Sequence, residues 1–185
     1  MSKFDQFATI IKQGGIVLCP TDTIWGLGCD PTNLVAVERI IELTKRPASK
    51  SFILLVDNTR WVEKFIPNFP EVCYDLIDFS EEPLTIIYPG AIGLPKSVLA
   101  EDGSVGIRVT KDSYCITYLR AINNPLLLTS ANLRDESPPV YFQDIHPDIV
   151  KGVDYILEGS IPEKNGKQSK IIKIGKNAEI SIIHG

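Results

Sequence analysis

The sequence predicts an α/β fold, on three observations. Short apolar runs bounded by glycine or proline alternate with segments whose apolar residues recur at helical spacing. Two of the runs, Ile16 to Cys19 and Leu126 to Leu128, open directly onto small polar side chains, as ligand-binding strand ends do in open α/β sheets. The C-terminal segment alternates as a hairpin does, with Ile171-Ile172-Lys173-Ile174 and Ile180-Ser181-Ile182-Ile183 on either side of a turn at Gly175 to Asn177.

Taken in order, Phe4, Phe7, Ala8 and Ile11 mark a first helix, with Gly14-Gly15 as its stop. Ile16 to Cys19 reads as a strand covered on both faces, and Pro20 ends its pairing. A second helix carries Leu34, Val37, Ile40, Ile41 and Thr44 on one face, with Asp30, Thr32 or Asn33 as its cap and Lys45-Arg46-Pro47 as its end. Ser51 to Val56 is the next strand. Trp61, Val62, Phe65 and Ile66 form an amphipathic turn or two, and Val72, Leu76 and Ile77 a further helix. Leu84 to Tyr88 and Val105 to Val109 are strands, and Asp112 caps a helix through Ile116, Leu119 and Ile122. Leu126 to Leu128 follows, then a short helix over 143–151, a strand over 153–157 and a polar connection over 159–170.

The totals agree with a single domain over 1–185. A chain of 185 residues can bury about 70% of the surface its unfolded form exposes, and 44% hydrophobic with 23% charged residues is ordinary for a globular protein. Apolar runs fall short of the roughly 20 residues a membrane span needs, and Met1-Ser2-Lys3-Phe4-Asp5 lacks the apolar stretch of a signal peptide, so a cytoplasmic location without a membrane partner is expected. Cys19, Cys29, Cys73 and Cys115, with His146 and His184, make no metal-ligand spacing, and the thiols read as reduced packing residues. A net charge of −4 argues against a general nucleic-acid coat.

The chemistry concentrates at the two strand ends. Thr21, Asp22 and Thr23 offer hydroxyls and a carboxylate, while Gly26 and Gly28 leave room for backbone to approach a ligand or a neighbouring strand. The same pattern also suits a Thr/Asp turn leading into a glycine-kinked strand. Asp22 is a candidate for orienting a substrate amine or metal, or for capping its own turn. Thr129-Ser130-Ala131-Asn132 repeats the arrangement. Arg108, between Ile107 and Val109, either points to water or pairs with a carboxylate or phosphate. Lys45 and Arg46 suit phosphate binding or the C-terminal end of a helix dipole. Neither histidine reads as a general base, since His146 precedes Pro147 in a loop and His184 adjoins the last residue.

Together these stretches resemble the YrdC/YciO-like family, whose members make threonylcarbamoyl-adenylate for the modification of adenosine next to the tRNA anticodon. Pro20-Thr21-Asp22-Thr23-Ile24-Trp25-Gly26-Leu27-Gly28 is similar to its first block and Lys45-Arg46-Pro47 to its basic block. Leu84-Thr85-Ile86-Ile87, Val105-Gly106-Ile107-Arg108-Val109 and Pro125-Leu126-Leu127-Leu128-Thr129-Ser130-Ala131-Asn132 are similar to the blocks that follow. The resemblance implies a twisted mixed β-sheet with flanking helices and a concave pocket holding ATP and L-threonine. It implies that threonine and bicarbonate give a carbamate that attacks ATP and expels pyrophosphate, with Mg²⁺ carried on the nucleotide and no protein metal ligands. Carried over by position, Thr21, Arg108 and Ser169 bind threonine, and Arg46, Ser130 and Asn132 bind ATP, with no acid or base residue assigned. The chain has no G-x-x-x-x-G-K-[ST] loop, so ATP binding through a P-loop is excluded.

Several positions depart from the family pattern. Thr44 stands where a lysine is usual, which leaves Lys45 or Lys50 to supply that phosphate contact, and Trp25 replaces a tyrosine. Thr110 replaces a proline, Lys170 and Lys173 replace threonine and a polar residue, and His184 replaces an arginine. The alternative reading is therefore a catalytically altered YciO-like paralogue that binds RNA or nucleotide through Lys45, Arg46, Lys50, Arg134, Lys164, Lys167 and Lys170. A synthase would instead hand its product to other proteins of the tRNA pathway.

Overall fold

Val17, Leu18 and Cys19 are all completely buried, as a run with apolar residues on both faces requires, and they form the first strand of a layered structure. The computed structural model describes residues 1–46, 52–159 and 167–184. Its helices are α1 (Lys3–Lys12), α2 (Leu34–Thr44), α3 (Thr59–Phe65), α4 (Val72–Phe79), α5 (Ser113–Ile122) and α6 (Pro147–Gly152). Its strands are β1 (Val17–Pro20), β2 (Trp25–Cys29), β3 (Ile53–Val56), β4 (Leu84–Tyr88), β5 (Val105–Val109), β6 (Leu126–Ser130), β7 (Tyr155–Ile156), β8 (Lys170–Ile174) and β9 (Ile180–His184). No described helix is long and apolar enough to cross a membrane.

The strands form one mixed sheet in the order β7-β1-β2-β6-β3-β5-β4-β8-β9. Alternation along each strand sends side chains to two separate cores. Leu18, Leu54, Val56, Ile86, Ile107 and Leu127 face α2, α3, α4 and α6. Val17, Cys19, Leu55, Leu126 and Leu128 face α1 and α5. Among the described residues two helices, α1 and α5, serve this second face; they cover the β1–β6 side, while β5, β4 and β8 line a cavity. That asymmetry creates the concave surface on which a ligand can lie.

Local chemistry explains most boundaries. Ser2 and Asp5 form a reciprocal capping box at α1, and Asp112 Oδ1 accepts from Cys115 N at the start of α5. Of the three possible caps for α2, Asn33 takes the role by accepting from Ala36 N, while Asp30 closes its own turn onto Thr32. The helix expected over 143–151 is divided into a 3₁₀ turn at Phe142–Asp144 and α6, because His146 precedes proline and is pushed out of the helical region. The strand expected over 153–157 pairs with β1 only at Tyr155 and Ile156. The Ile171–Ile174 and Ile180–Ile183 runs form the expected terminal hairpin, with an irregularity at Ile171/Ile172.

The glycines of β2 are packing residues. A Cβ at Gly28 would lie 3.0 Å from Leu126 Cγ, and one at Gly26 would lie 3.1 Å from Leu128 Cδ2. Leucines of β6 therefore lean over both positions, so the neighbouring strand, not a ligand, occupies the space. Gly28→Ala is expected to destabilise the fold by about 1–3 kcal/mol, as overpacking a close-packed core does, measured by denaturant unfolding.

Candidate functional site

The loop 21–24 joins β1 to β2 and reaches over β6 and β3 to β5, where it meets Arg108. Arg108 Nη2 lies 3.2 Å from Asp22 Oδ1, with the two side chains 6% and 7% exposed. Arg108 Nη1 donates to Thr23 Oγ1 at 3.2 Å. Asp22 is held on its other oxygen by Thr110, whose hydroxyl donates to Oδ2 at 2.9 Å and accepts from Asp112 N. The arginine therefore points inward and is paired with a carboxylate.

Hydroxyl counting fixes the sense of the adjoining network. Thr21 Oγ1 donates its one hydrogen to Ile24 O at 2.7 Å, so the 3.0 Å contact with Thr23 must be donated by Thr23. Thr21 also accepts from Thr23 N and Ile24 N, which places its hydroxyl wholly within the turn. The chain of donors thus runs Arg108, Thr23, Thr21, Ile24, and Thr23, not Thr21, faces the cavity beside Arg108.

That cavity, of about 240 Å³, lies on the open half of the sheet face. Arg108, Thr23, Thr85 and Ser169 belong to its polar lining, and Ile53, Ile87 and Leu128 to its apolar part. Thr85 Oγ1 and Ser169 Oγ are 2.7 Å apart and buried, a hydroxyl pair joining β4 to the approach of β8. Arg108 Nε is buried and has no hydrogen-bond partner among the described residues.

A second cavity of about 550 Å³ adjoins the first and shares Arg46, Thr129 and Ser130 with it. Asn132, Arg134 and Thr44 also line it. Asn132 Nδ2 donates to Leu133 O and Glu136 O, which fixes the turn after β6, and Arg134 N donates to Thr44 O, which docks that turn on the end of α2. Arg46 stacks on Phe52, with Cζ 4.2 Å from the ring centroid. Burial lowers the Arg46 guanidinium to about 10, still well above neutrality, so the cation is retained.

The other basic positions are placed differently. Lys45 is the C-cap of α2 in the left-handed region, with φ 53°, and is exposed; of this segment Thr44 and Arg46 line the cavities. The Thr44 hydroxyl donates to Ile40 O at 2.7 Å. Lys170 pairs with Glu82 and Lys173 with Asp102, both at 2.6 Å. His184 is exposed on β9 opposite Ile171, and Lys50 and Lys164 lie outside the described residues. The four thiols are buried, and burial pushes those of Cys19 and Cys29 up to about 12, consistent with packing and not nucleophilic roles.

Comparison with known proteins bears on this arrangement. A family model for the Sua5/YciO/YrdC domain, described as "Telomere recombination", matches residues 9–184. The chain belongs to the Sua5/YciO/YrdC family. A relative in this family, the threonylcarbamoyl-AMP synthase of Acinetobacter baumannii, is 32% identical over 144 residues, 74% of this chain and 76% of that protein. Two solved structures of the family share the fold. P. abyssi Sua5, crystallised with L-threonine, matches with TM-score 0.85 at 23% identity over 94% of this chain and 52% of its own, so this chain spans about half its length. E. coli YciO matches with TM-score 0.83 at 23% identity over 98% of this chain and 87% of its own.

Sequence spacing singled out Thr23 with Thr21 and Asp22 but assigned the ligand contact to Thr21, and it missed Thr85 as a lining residue and Thr110 as the support of Asp22. The signal for Thr85 was a lone hydroxyl within an apolar strand, on the same face as Arg108. Thr110→Val is expected to cost about 1–3 kcal/mol in denaturant unfolding, because it leaves a buried carboxylate oxygen and the Asp112 amide without their partner.

Proposed function

We propose that the chain is a threonylcarbamoyl-AMP synthase, a nucleotidyltransferase that converts L-threonine, bicarbonate and ATP to threonylcarbamoyl-AMP and pyrophosphate for t6A modification of tRNA. The observation that carries this reading is the pair of adjoining cavities with Arg46, Thr129 and Ser130 in common. The smaller has the dimensions of an amino acid, and the larger, lined by Arg46 and Arg134 as well as by Asp135 and Glu136, has room for a nucleotide with its phosphates toward Arg46, so two substrates can meet at the shared wall. The curated relative supports the same chemistry.

In the smaller cavity Arg108 takes the threonine carboxylate, while Asp22 and Thr23 hold the guanidinium still. Thr85 and Ser169 supply hydroxyls for the amino and hydroxyl groups. Thr21 acts behind Thr23 by anchoring the turn. In the larger cavity Arg46 meets the nucleotide phosphates, and Ser130 and Asn132 contact ATP. Mg²⁺ enters on the nucleotide, as part of the substrate, and shares the phosphate charge.

The reaction needs no protein nucleophile. Threonine nitrogen attacks bicarbonate carbon with loss of water, giving N-carboxythreonine. A carbamate oxygen then attacks the α-phosphorus, forming a new P–O bond as the bond to the β-phosphate oxygen breaks and pyrophosphate leaves with its electron pair. The protein's part is to align two anions and to place cations on the phosphate oxygens, as expected when positioning and electrostatics dominate.

The purified protein with ATP, Mg²⁺, bicarbonate and L-threonine should release pyrophosphate and yield threonylcarbamoyl-AMP by mass spectrometry. Omission of bicarbonate should abolish the product, and replacement of threonine by serine should reduce it. Threonine binding without turnover would instead favour the altered paralogue. Arg108→Ala should weaken threonine binding by about 1.5–3 kcal/mol, the range for hydrogen bonds to charged groups, and unchanged affinity in calorimetry would remove it from the site. On the nucleotide side, Arg46→Ala should impair ATP binding while leaving threonine binding nearly intact. Lys45→Ala should leave both unchanged, and the opposite ranking of the two variants would return the phosphate contact to Lys45.

A further inference from the structure

We propose that Gly106 is a specificity-determining residue, the gap left by its missing side chain receiving the β-methyl group of the amino-acid substrate. The inference rests on the reading of the smaller cavity as an amino-acid site.

At Gly26 and Gly28 a Cβ would meet leucine side chains at 3.0–3.1 Å, so packing demands glycine. At Gly106 the nearest atoms would be Thr85 Cγ2 at 3.4 Å, Phe52 O at 3.7 Å and Ile53 Cγ1 at 3.8 Å, ordinary van der Waals distances. Its φ is not in the left-handed region either. An alanine would therefore fit both the backbone and the packing, and it would suit a strand interior better than glycine does. The fold gives no reason for glycine here, whereas the cavity does, because Gly106 lies in its lining.

The sheet register shows what the missing side chain leaves. Ile53 is the partner of both Leu128 and Gly106, and Ile87 is the partner of Gly106 on the other side. Leu128, Ile53, Gly106 and Ile87 thus form one transverse row of the open face, apolar throughout, with a depression at the glycine. Arg108 lies two residues further along β5 on the same face, about 7 Å away at the usual rise per residue. The polar groups Thr23, Thr85 and Ser169 line the same cavity as that arginine. A short amino acid with its carboxylate on Arg108 spans this distance. Its polar groups then remain among the hydroxyls and a β-methyl enters the depression. Serine makes the same polar contacts and leaves the depression empty, so the row separates threonine from serine.

The test uses the full chain as wild type, Gly106→Ala and Arg108→Ala, with thermal unfolding and calorimetric titration of L-threonine, L-serine and ATP. Gly106→Ala should unfold at or above the wild-type temperature and bind ATP unchanged. Its threonine affinity should fall by about 10- to 200-fold, the range set by one methylene in an apolar pocket, with a much smaller change for serine. A Gly106→Ala protein that is less stable than wild type, or fails to fold, overturns the proposal by making the glycine structural. If Arg108→Ala loses threonine while Gly106→Ala keeps the wild-type preference, the role of Gly106 alone is wrong. If the wild type binds no threonine, or Arg108→Ala binds it equally well, the amino-acid reading of the cavity fails and the proposal falls with it.

Discussion

A guanidinium buried in the face of a β-sheet is costly unless its charge is compensated, and one loop supplies Arg108 with both a counter-charge and an acceptor for Nη1. Asp22 supplies the charge and Thr23 an acceptor, while Thr110, two residues beyond Arg108, secures Asp22 from the far side. The loop between β1 and β2 is thereby tied to β5, although β6 and β3 separate β2 from β5 in the sheet. Removal of either charge would strand the other in a water-poor setting. The pair is thus both a fold constraint and the means of presenting rigid donors to the cavity.

The same sheet face serves two purposes along its width. Over β1, β6 and β3 it is sealed by α1 and α5 against Val17, Cys19, Leu55, Leu126 and Leu128. Over β5, β4 and β8 no described helix covers it, and there Gly106, Arg108 and Thr85 stand among the aliphatic residues Ile53, Ile87 and Ile171. Leu128 belongs to both zones, packing under the helices and lining the cavity. Core and site thus meet on strand residues of one sheet, Leu128 among them. That is a stiff platform for a small ligand.

Much of this was legible in the sequence. The paired polar strand ends at Thr21 to Thr23 and Thr129 to Asn132 marked the site, and helix caps such as Asn33 and Asp112 followed from their side-chain chemistry. The direction of Arg108 was not legible, because an arginine between apolar neighbours in a strand satisfies either face until its partner is known. Gly26 and Gly28 suited close approach of either a ligand or a neighbouring strand, and it is leucines of a strand about a hundred residues later in the chain that take the space. Lys45 and Arg46 look interchangeable in sequence. The left-handed turn at Lys45 ends α2 between them, so one remains on the helix cap and the other lines both cavities.

The electrostatics of the two cavities differ in a way that matches the proposed chemistry. Arg108 is already neutralised by Asp22, so it offers directed hydrogen bonds and little net attraction, which suits orientation of a neutral zwitterion. In the proposed reaction N-carboxythreonine is more negative than threonine and must approach a second anion, the nucleotide phosphate. Two anions converge only where a cation lies between them. Arg46 occupies the wall that the cavities share, half-buried on the ring of Phe52 and still cationic at neutral pH despite the desolvation that lowers it to about 10. A lysine in its place would present a point charge with no planar surface to stack on Phe52, and would lose more of its charge to the same burial. The orienting arginine is thus the one held by the Asp22 carboxylate, and the arginine at the meeting point is the one whose planar face lies on an aromatic ring.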